Sequence, residues 1–142
     1  MYEYMMTMDE LDRHILRRLL ENARTPFTDI AKELKVSEAT IRKRVNKLIR
    51  EGVIKKFTVE LGETGLKAIV LIKVRSGYQI PKVAEYISKI PEVVKAYEVT
   101  GDYDIVAEVV SVDPSSLNKA IETIRERDGV EGTLSMIVLA VW

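Results

Sequence analysis

The second half of the chain repeats itself, and that repeat leaves few folds open. "AIVLIKV" starts at Ala68 and "DIVAEVV" at Asp104, 36 positions later. Both read as strands. Pro81 and Pro114 each stand where a helix can open, because the first turn has no use for the N–H that proline lacks. "PEVV" at Pro91 is then echoed by "DGVE" at Asp128, 37 positions later. Strand, helix, strand, twice over, predicts a ferredoxin-like βαββαβ sandwich over 68–142: an α+β fold with both helices on one face of an antiparallel sheet. The other sheet face also carries apolar residues and needs a cover, for which a partner chain is the simplest candidate.

The first half follows helical periodicity instead. Leu11, Ile15, Leu16, Leu19 and Leu20 recur at helical intervals, with Thr7 and Glu10 placed as a capping box. The eight residues before them lack periodicity, and disorder is expected up to about Thr7. "ENARTP" ends this helix. Thr28 is placed to cap a short second helix carrying Ile30, Ala31 and Leu34. After the tight connection "KVS", Ser37 caps a third helix, and Gly52 stands where its C′ residue belongs. "VIKKFTVEL", from Val53, is rich in β-formers and reads as a strand, which would make the unit winged-helix-like. A short second helix joined to a third by about three residues describes a helix-turn-helix over 8–60. "LGETGLK", 61–67, is the expected linker.

Charge separates the same two halves. Formal net charge is zero, with 22 basic and 22 acidic residues, yet 13 of the basic and 10 of the acidic ones fall in residues 1–60. The local field is what a polyanion meets, so a neutral total does not exclude nucleic acid. Between Arg42 and Lys56 there are seven Lys or Arg and one acid, Glu51. With Ile41 at zero on a helical wheel of about 100° per residue, Val45, Leu48 and Ile49 fall within roughly 80° of it. Ala39, Thr40, Lys43, Asn46, Lys47 and Arg50 lie opposite, and Arg42 and Arg44 flank the stripe. A basic amphipathic helix by itself is usually a solvated face. Behind a cap, a tight turn and a short apolar helix, it has the build of a recognition helix for the major groove. The candidate DNA-binding set is Ser37, Ala39, Thr40, Arg42, Lys43, Arg44, Lys47, Arg50, and, reaching toward phosphates, Lys55 and Lys56. Glu38 reads first as an ordinary first-turn acid that favours the helix dipole, the alternative being an acceptor for a cytosine amino group.

Other classes find little support. Cysteine is absent, which excludes disulfides and cysteine-ligated metals. No apolar run would cross a bilayer and no signal peptide is evident, so the chain reads as cytoplasmic. Asp102 and Asp104 have the spacing of an acid–base pair, but no nucleophile, phosphate loop or metal cluster accompanies them. The one histidine, His14, sits among charges and reads as solvated. No enzyme activity, metal or cofactor is expected. A charged fraction of 31% with one Gln and three Asn is a pattern of heat-adapted proteins.

"LDRHILRRLLENARTPFTDIAKELKVSEATIRKRVNKLIREGVIKKFTVEL" closely resembles the N-terminal domain of the Lrp/AsnC, or feast/famine, transcription regulators, in a wording most like archaeal members. "YEVTGDYDIVAEV" resembles the motif at the centre of their C-terminal domain. The resemblance implies a DNA-binding regulator whose βαββαβ domain dimerises, assembles further, often to octamers, and binds amino acids. It implies effector binding beside the "TGDYD" turn, at Thr100, Gly101, Asp102, Tyr103 and Asp104, with Tyr97 nearby and Thr133 and Ser135 on the last strand. From the residues themselves, turn N–H groups can hold a carboxylate and carboxylates can receive an ammonium. The acidic neighbourhood favours lysine or arginine. The alternative for the turn is an ordinary Gly-Asp turn whose acids cap backbone groups. A dimer would read an imperfect palindrome in double-stranded DNA. The competing function is an architectural protein that wraps DNA without an effector.

Overall fold

The computed structural model describes residues 8–60, 62 and 65–142, and the chain divides into two units, 1–60 and 61–142. The first unit has three helices: α1, Glu10–Glu21; α2, Phe27–Leu34; and α3, Glu38–Arg50. Asp9 caps α1 by accepting the Asp12 N–H at 2.9 Å. It takes the place expected of Thr7, which lies outside the described residues, as does the segment expected to be disordered. Thr28 does not cap α2. Pro26, extended at φ −60° and ψ 138°, is the N-cap residue, so the helix opens at Phe27 and Thr28 sits within its first turn. α2 closes on Lys35 in the left-handed region (φ 54°), where the Val36 N–H reaches back to the Ala31 carbonyl at 3.0 Å. That turn aims the chain into α3, whose N-cap is Ser37 as expected, its hydroxyl accepting the Thr40 N–H at 3.1 Å. Gly52 (φ 75°) ends α3 while Val53 N–H bonds the Leu48 carbonyl, a Schellman closure that wants glycine.

Ile15, Leu19, Ile30, Ala31, Ile41 and Val45 form the core of this unit, edged by Leu11, Phe27, Leu34, Val36 and Ile54. Of the expected stripes, Leu20 and Ile49 are exposed and Leu16 is half-buried outside this core, whereas Leu48 is buried. The expected strand from Val53 is absent. Residues 53–60 form bends and irregular chain, with Phe57 and Val59 exposed. β-propensity describes fit to a sheet, and no partner strand lies beside this segment within the described chain. Among the described residues the unit is a helix-turn-helix with no wing strand.

The second unit is the βαββαβ sandwich. Its elements are β1, Leu66–Val74; α4, Ile80–Ser88; β2, Val93–Glu98; β3, Ile105–Ser111; α5, Pro114–Arg125; and β4, Val130–Ile137. The sheet runs β2-β3-β1-β4, every neighbour antiparallel. Pro81 and Pro114 occupy the first turns of their helices, as expected, and Asp113 caps α5 through the Ser116 N–H at 2.8 Å. Strict alternation sends Ala68, Val70, Ile72 and Val74 of β1 and Ile105, Ala107 and Val109 of β3 into the core. There they meet Val83 and Ile87 of α4 and Leu117, Ile121 and Ile124 of α5. Burying each of the Val, Leu and Ile side chains stabilises the fold by about 1.5–3 kcal/mol. The opposite face aligns Ile69 with Met136, and Leu71 with Val106 and Leu134. Leu134 and Met136 remain 47% and 45% exposed there.

Candidate nucleic-acid interface and effector turn

Burial of Ile41, Val45 and Leu48 fixes which side of α3 faces solvent. Glu38, Ala39, Arg42, Lys43, Asn46 and Arg50 line a shallow concavity on that outer side. Within it, the arginine flanking the stripe at its amino end is already engaged: Arg42 pairs with Glu38, and its guanidinium lies 5.5 Å from the centre of the Phe27 ring. Glu38 therefore partners Arg42 as well as favouring the helix dipole. Lys47 stands 3.9 Å from Glu51, a loose pair. Ser37 and Thr40 share a 2.9 Å hydroxyl hydrogen bond at the cap. Lys55 and Lys56 are exposed on the irregular segment after α3.

Arg44 differs from the rest of the candidate set. Its Nη1 donates to Asp9 Oδ2 at 2.5 Å and lies 3.4 Å from both oxygens of Asp12. The Asp12 side chain is only 7% exposed. Burial, followed by the neighbouring Asp9 charge, pushes the Asp12 carboxyl above the usual carboxylate range. Asp9 is held below that range, first by the Asp12 N–H and then by Arg44. The Arg44 guanidinium is raised in turn, chiefly by its hydrogen bond to Asp9. This cluster was not legible in the sequence, because its members are 35 and 32 residues apart. His14 is likewise not simply solvated: its Nε2 lies 2.9 Å from Glu33, which Arg18 also contacts, tying α1 to α2.

In the second unit, the turn between β2 and β3 is pinned to β1. The Asp104 N–H donates to the Ile72 carbonyl at 2.9 Å, and Asp104 Oδ2 accepts the Val74 N–H at 2.7 Å where the β1–β4 register shifts. One oxygen of Asp104 therefore caps a backbone group. Gly101 lies at φ 118°, a conformation that L side chains rarely adopt. Lys73 Nζ donates to the Asp102 carbonyl at 2.7 Å, leaving the exposed Asp102 carboxylate at the lip of a second concavity. Lys73, Asp102, Tyr103, Glu131, Gly132 and Thr133 line it. Thr133 also accepts from Arg125 Nε at 3.4 Å. Of the expected set, Asp102, Tyr103 and Thr133 meet here, while Thr100, Gly101 and Asp104 shape and anchor the turn.

Tyr97 and Ser135 do not line this concavity. The Tyr97 hydroxyl donates to Glu108 on the open sheet face at 3.1 Å, and Ser135 is exposed farther along β4. Lys73, Glu131 and Gly132 are additions. Lys73 and Glu131 stand out in the sequence only as strand charges, and the β1–β4 register is what brings them to the turn.

A compact helix-turn-helix with a basic outer face, followed by a βαββαβ sandwich with a mixed-charge turn, defines a two-module transcription regulator. Residues 8–49 match the AsnC-type helix-turn-helix domain, and residues 67–142 match the Lrp/AsnC ligand binding domain. The chain belongs to the Lrp/AsnC family of transcription regulators. It is 50% identical over 136 residues to the HTH-type transcriptional regulator LysM of Saccharolobus solfataricus, covering 95% of this chain and 96% of that protein. It is similar to the structure of E. coli AsnC, with TM-score 0.81 and 30% identity over 94% of this chain and 93% of that one. The fold is shared also with the Neisseria meningitidis regulator NMB0573, solved as an L-Met complex: TM-score 0.83, 24% identity, 94% of this chain and 91% of that one. No helix among the described residues is long and apolar enough to cross a membrane.

Proposed function

We propose that this regulator is a cytoplasmic, sequence-specific DNA-binding protein whose operator affinity responds to an amino acid. The observation that carries the reading is the outer face of α3, where Lys43 and Arg50 stand opposite the buried Ile41, Val45 and Leu48. In the major groove, Ala39, Lys43, Asn46 and Lys47 meet base edges and phosphates, with Arg50, Lys55 and Lys56 along the backbone. The effector reading rests on the second concavity. A lysine ammonium and two carboxylates, Asp102 and Glu131, border it, which suits a zwitterion and favours a cationic side chain such as lysine or arginine. The apolar sheet face around Leu71, Leu134 and Met136 supports a homodimer, and the dimer supports higher assembly such as an octamer.

The DNA reading is tested with a duplex selected by the wild-type chain from a randomised pool. The selected sequences should be imperfect palindromes with half-sites about one helical turn apart, roughly 34 Å. Lys43→Ala should weaken binding and, if Lys43 meets a phosphate, lower the slope of log affinity against log salt by about one unit. If it instead reads a base, discrimination at one position should fall by about 1–3 kcal/mol. A Lys43→Ala chain with wild-type affinity, slope and specificity would overturn the assignment.

A further inference from the structure

Two kinds of contact hold α3 in place, and they differ in what they fix. The Ile41, Val45 and Leu48 stripe is buried, but apolar packing is non-directional and limits rotation about the helix axis only loosely. The Arg44 contact, made through Nη1, is directional. It spans from the middle of α3 to the amino end of α1, reaching Asp9 at 2.5 Å and Asp12 at 3.4 Å. Asp9 is itself immobilised, since its other oxygen accepts the Asp12 N–H that opens α1. The clasp therefore ties α3 to the capped amino end of α1.

Charge accounting gives the direction of use. Asp12 is almost wholly buried, and Arg44 is the cation in hydrogen-bond reach of it. Turning Arg44 outward to a phosphate would leave a buried carboxylate beside a second carboxylate, which is strongly unfavourable. Arg44 also lies on the flank of the stripe, whereas Lys43 and Arg50 project from the opposite side.

We infer that Arg44 is a positioning residue, which sets how α3 is presented to DNA through Asp9 and Asp12 and makes no phosphate contact of its own. This rests on the reading of α3 as the DNA-facing helix. It predicts effects of opposite sign to those of a direct contact. Asp9→Asn keeps an acceptor for the Asp12 N–H but weakens the clasp. If Arg44 were a latent phosphate ligand, Asp9→Asn would release it, remove a negative charge and tighten binding. As a positioning residue, Arg44 loses its anchor, and binding weakens.

The experiment uses the full chain and the selected duplex, titrated over a salt series well below each variant's unfolding temperature, with helix content followed by circular dichroism. Asp9→Asn should bind about tenfold more weakly, a loss of about 1.4 kcal/mol, with an unchanged salt slope. Arg44→Ala, if it folds, should also weaken binding without changing the slope, while Arg44→Lys, which keeps the charge but not the planar, longer-reaching guanidinium, restores it only in part. Equal or tighter binding by a folded Asp9→Asn chain overturns the inference, as does an Arg44→Ala slope lowered by about one unit. A wild-type slope, affinity and specificity for Lys43→Ala would overturn the α3 reading itself, and this inference with it.

Discussion

Neighbouring charges in this protein have different fates, and the difference decides what each substitution tests. Lys43 and Arg44 are adjacent in sequence, yet one faces solvent and the other reaches a buried carboxylate. Asp102 and Asp104 show the same division. Asp104 spends one oxygen on the Val74 N–H, so its loss would loosen the turn as well as any ligand. Asp102 carries no such duty on its carboxylate side, since its anchoring contact is through the backbone carbonyl. Asp102→Ala is therefore the cleaner test of effector binding. An amino acid that binds the folded assembly should stabilise the wild type by about 2.7 kcal/mol at one hundred times its Kd. That thermal shift should vanish in Asp102→Ala while DNA affinity without effector stays at the wild-type level. Screening the twenty amino acids on both proteins checks this. Equal stabilisation of the two would place the ligand elsewhere, and no stabilisation of the wild type would favour DNA wrapping without an effector.

Helix ends govern the elements. The turn from α2 to α3 depends on Lys35 at φ 54°, where a side chain costs about 1 kcal/mol relative to glycine. Lys35→Gly should therefore raise the stability of the helical unit by up to about 1 kcal/mol, measured by chemical denaturation, without moving α3. A destabilised variant would show that the Lys35 side chain contributes more than its backbone costs. The segment after α3 teaches the converse lesson. "VIKKFTVEL" has strand composition but forms no strand in the described residues 53–60, whereas "AIVLIKV" with similar composition is the centre of a sheet. β3 and β4 flank the second on both edges, and no strand of the described chain pairs with the first. Composition proposes a strand, and a neighbour makes one.

At the scale of the molecule, the open sheet face is the main unbalanced account. Half-exposed Leu134 and Met136, with Ile69 and Leu71 beside them, form one side of a sheet whose other side is a closed core. Because that core belongs wholly to the second unit, residues 62–142 expressed alone should fold and dimerise. Light scattering at micromolar concentration checks this, with a monomer as the opposing result. Leu134→Glu should shift the same fragment toward monomer by placing a charge in that apolar face. An amino acid that changes operator affinity must itself bind differently when the operator is present, by the same factor.

Much of this was already determined by the order of residues. The 3.6-residue period marks Ile41, Val45 and Leu48 as one face of α3 before any contact is known, and the two-residue period sorts β1 and β3 into two faces, though not which of the two is buried. Caps and first-turn prolines mark helix ends for the same reason: Ser37, Gly52, Pro81 and Pro114 act on groups within a few residues. The 36-residue repeat further implied the βαββαβ order. Tertiary structure decided what depends on distant partners. It sent Arg44 to Asp9 and Asp12, set Asp104 against Val74, brought Lys73 and Glu131 to the turn, and left 53–60 without a strand. The physical reason is range. Periodicity and capping are short-range properties of a chain, whereas a charge's partner is whatever the fold brings within a few ångströms of it.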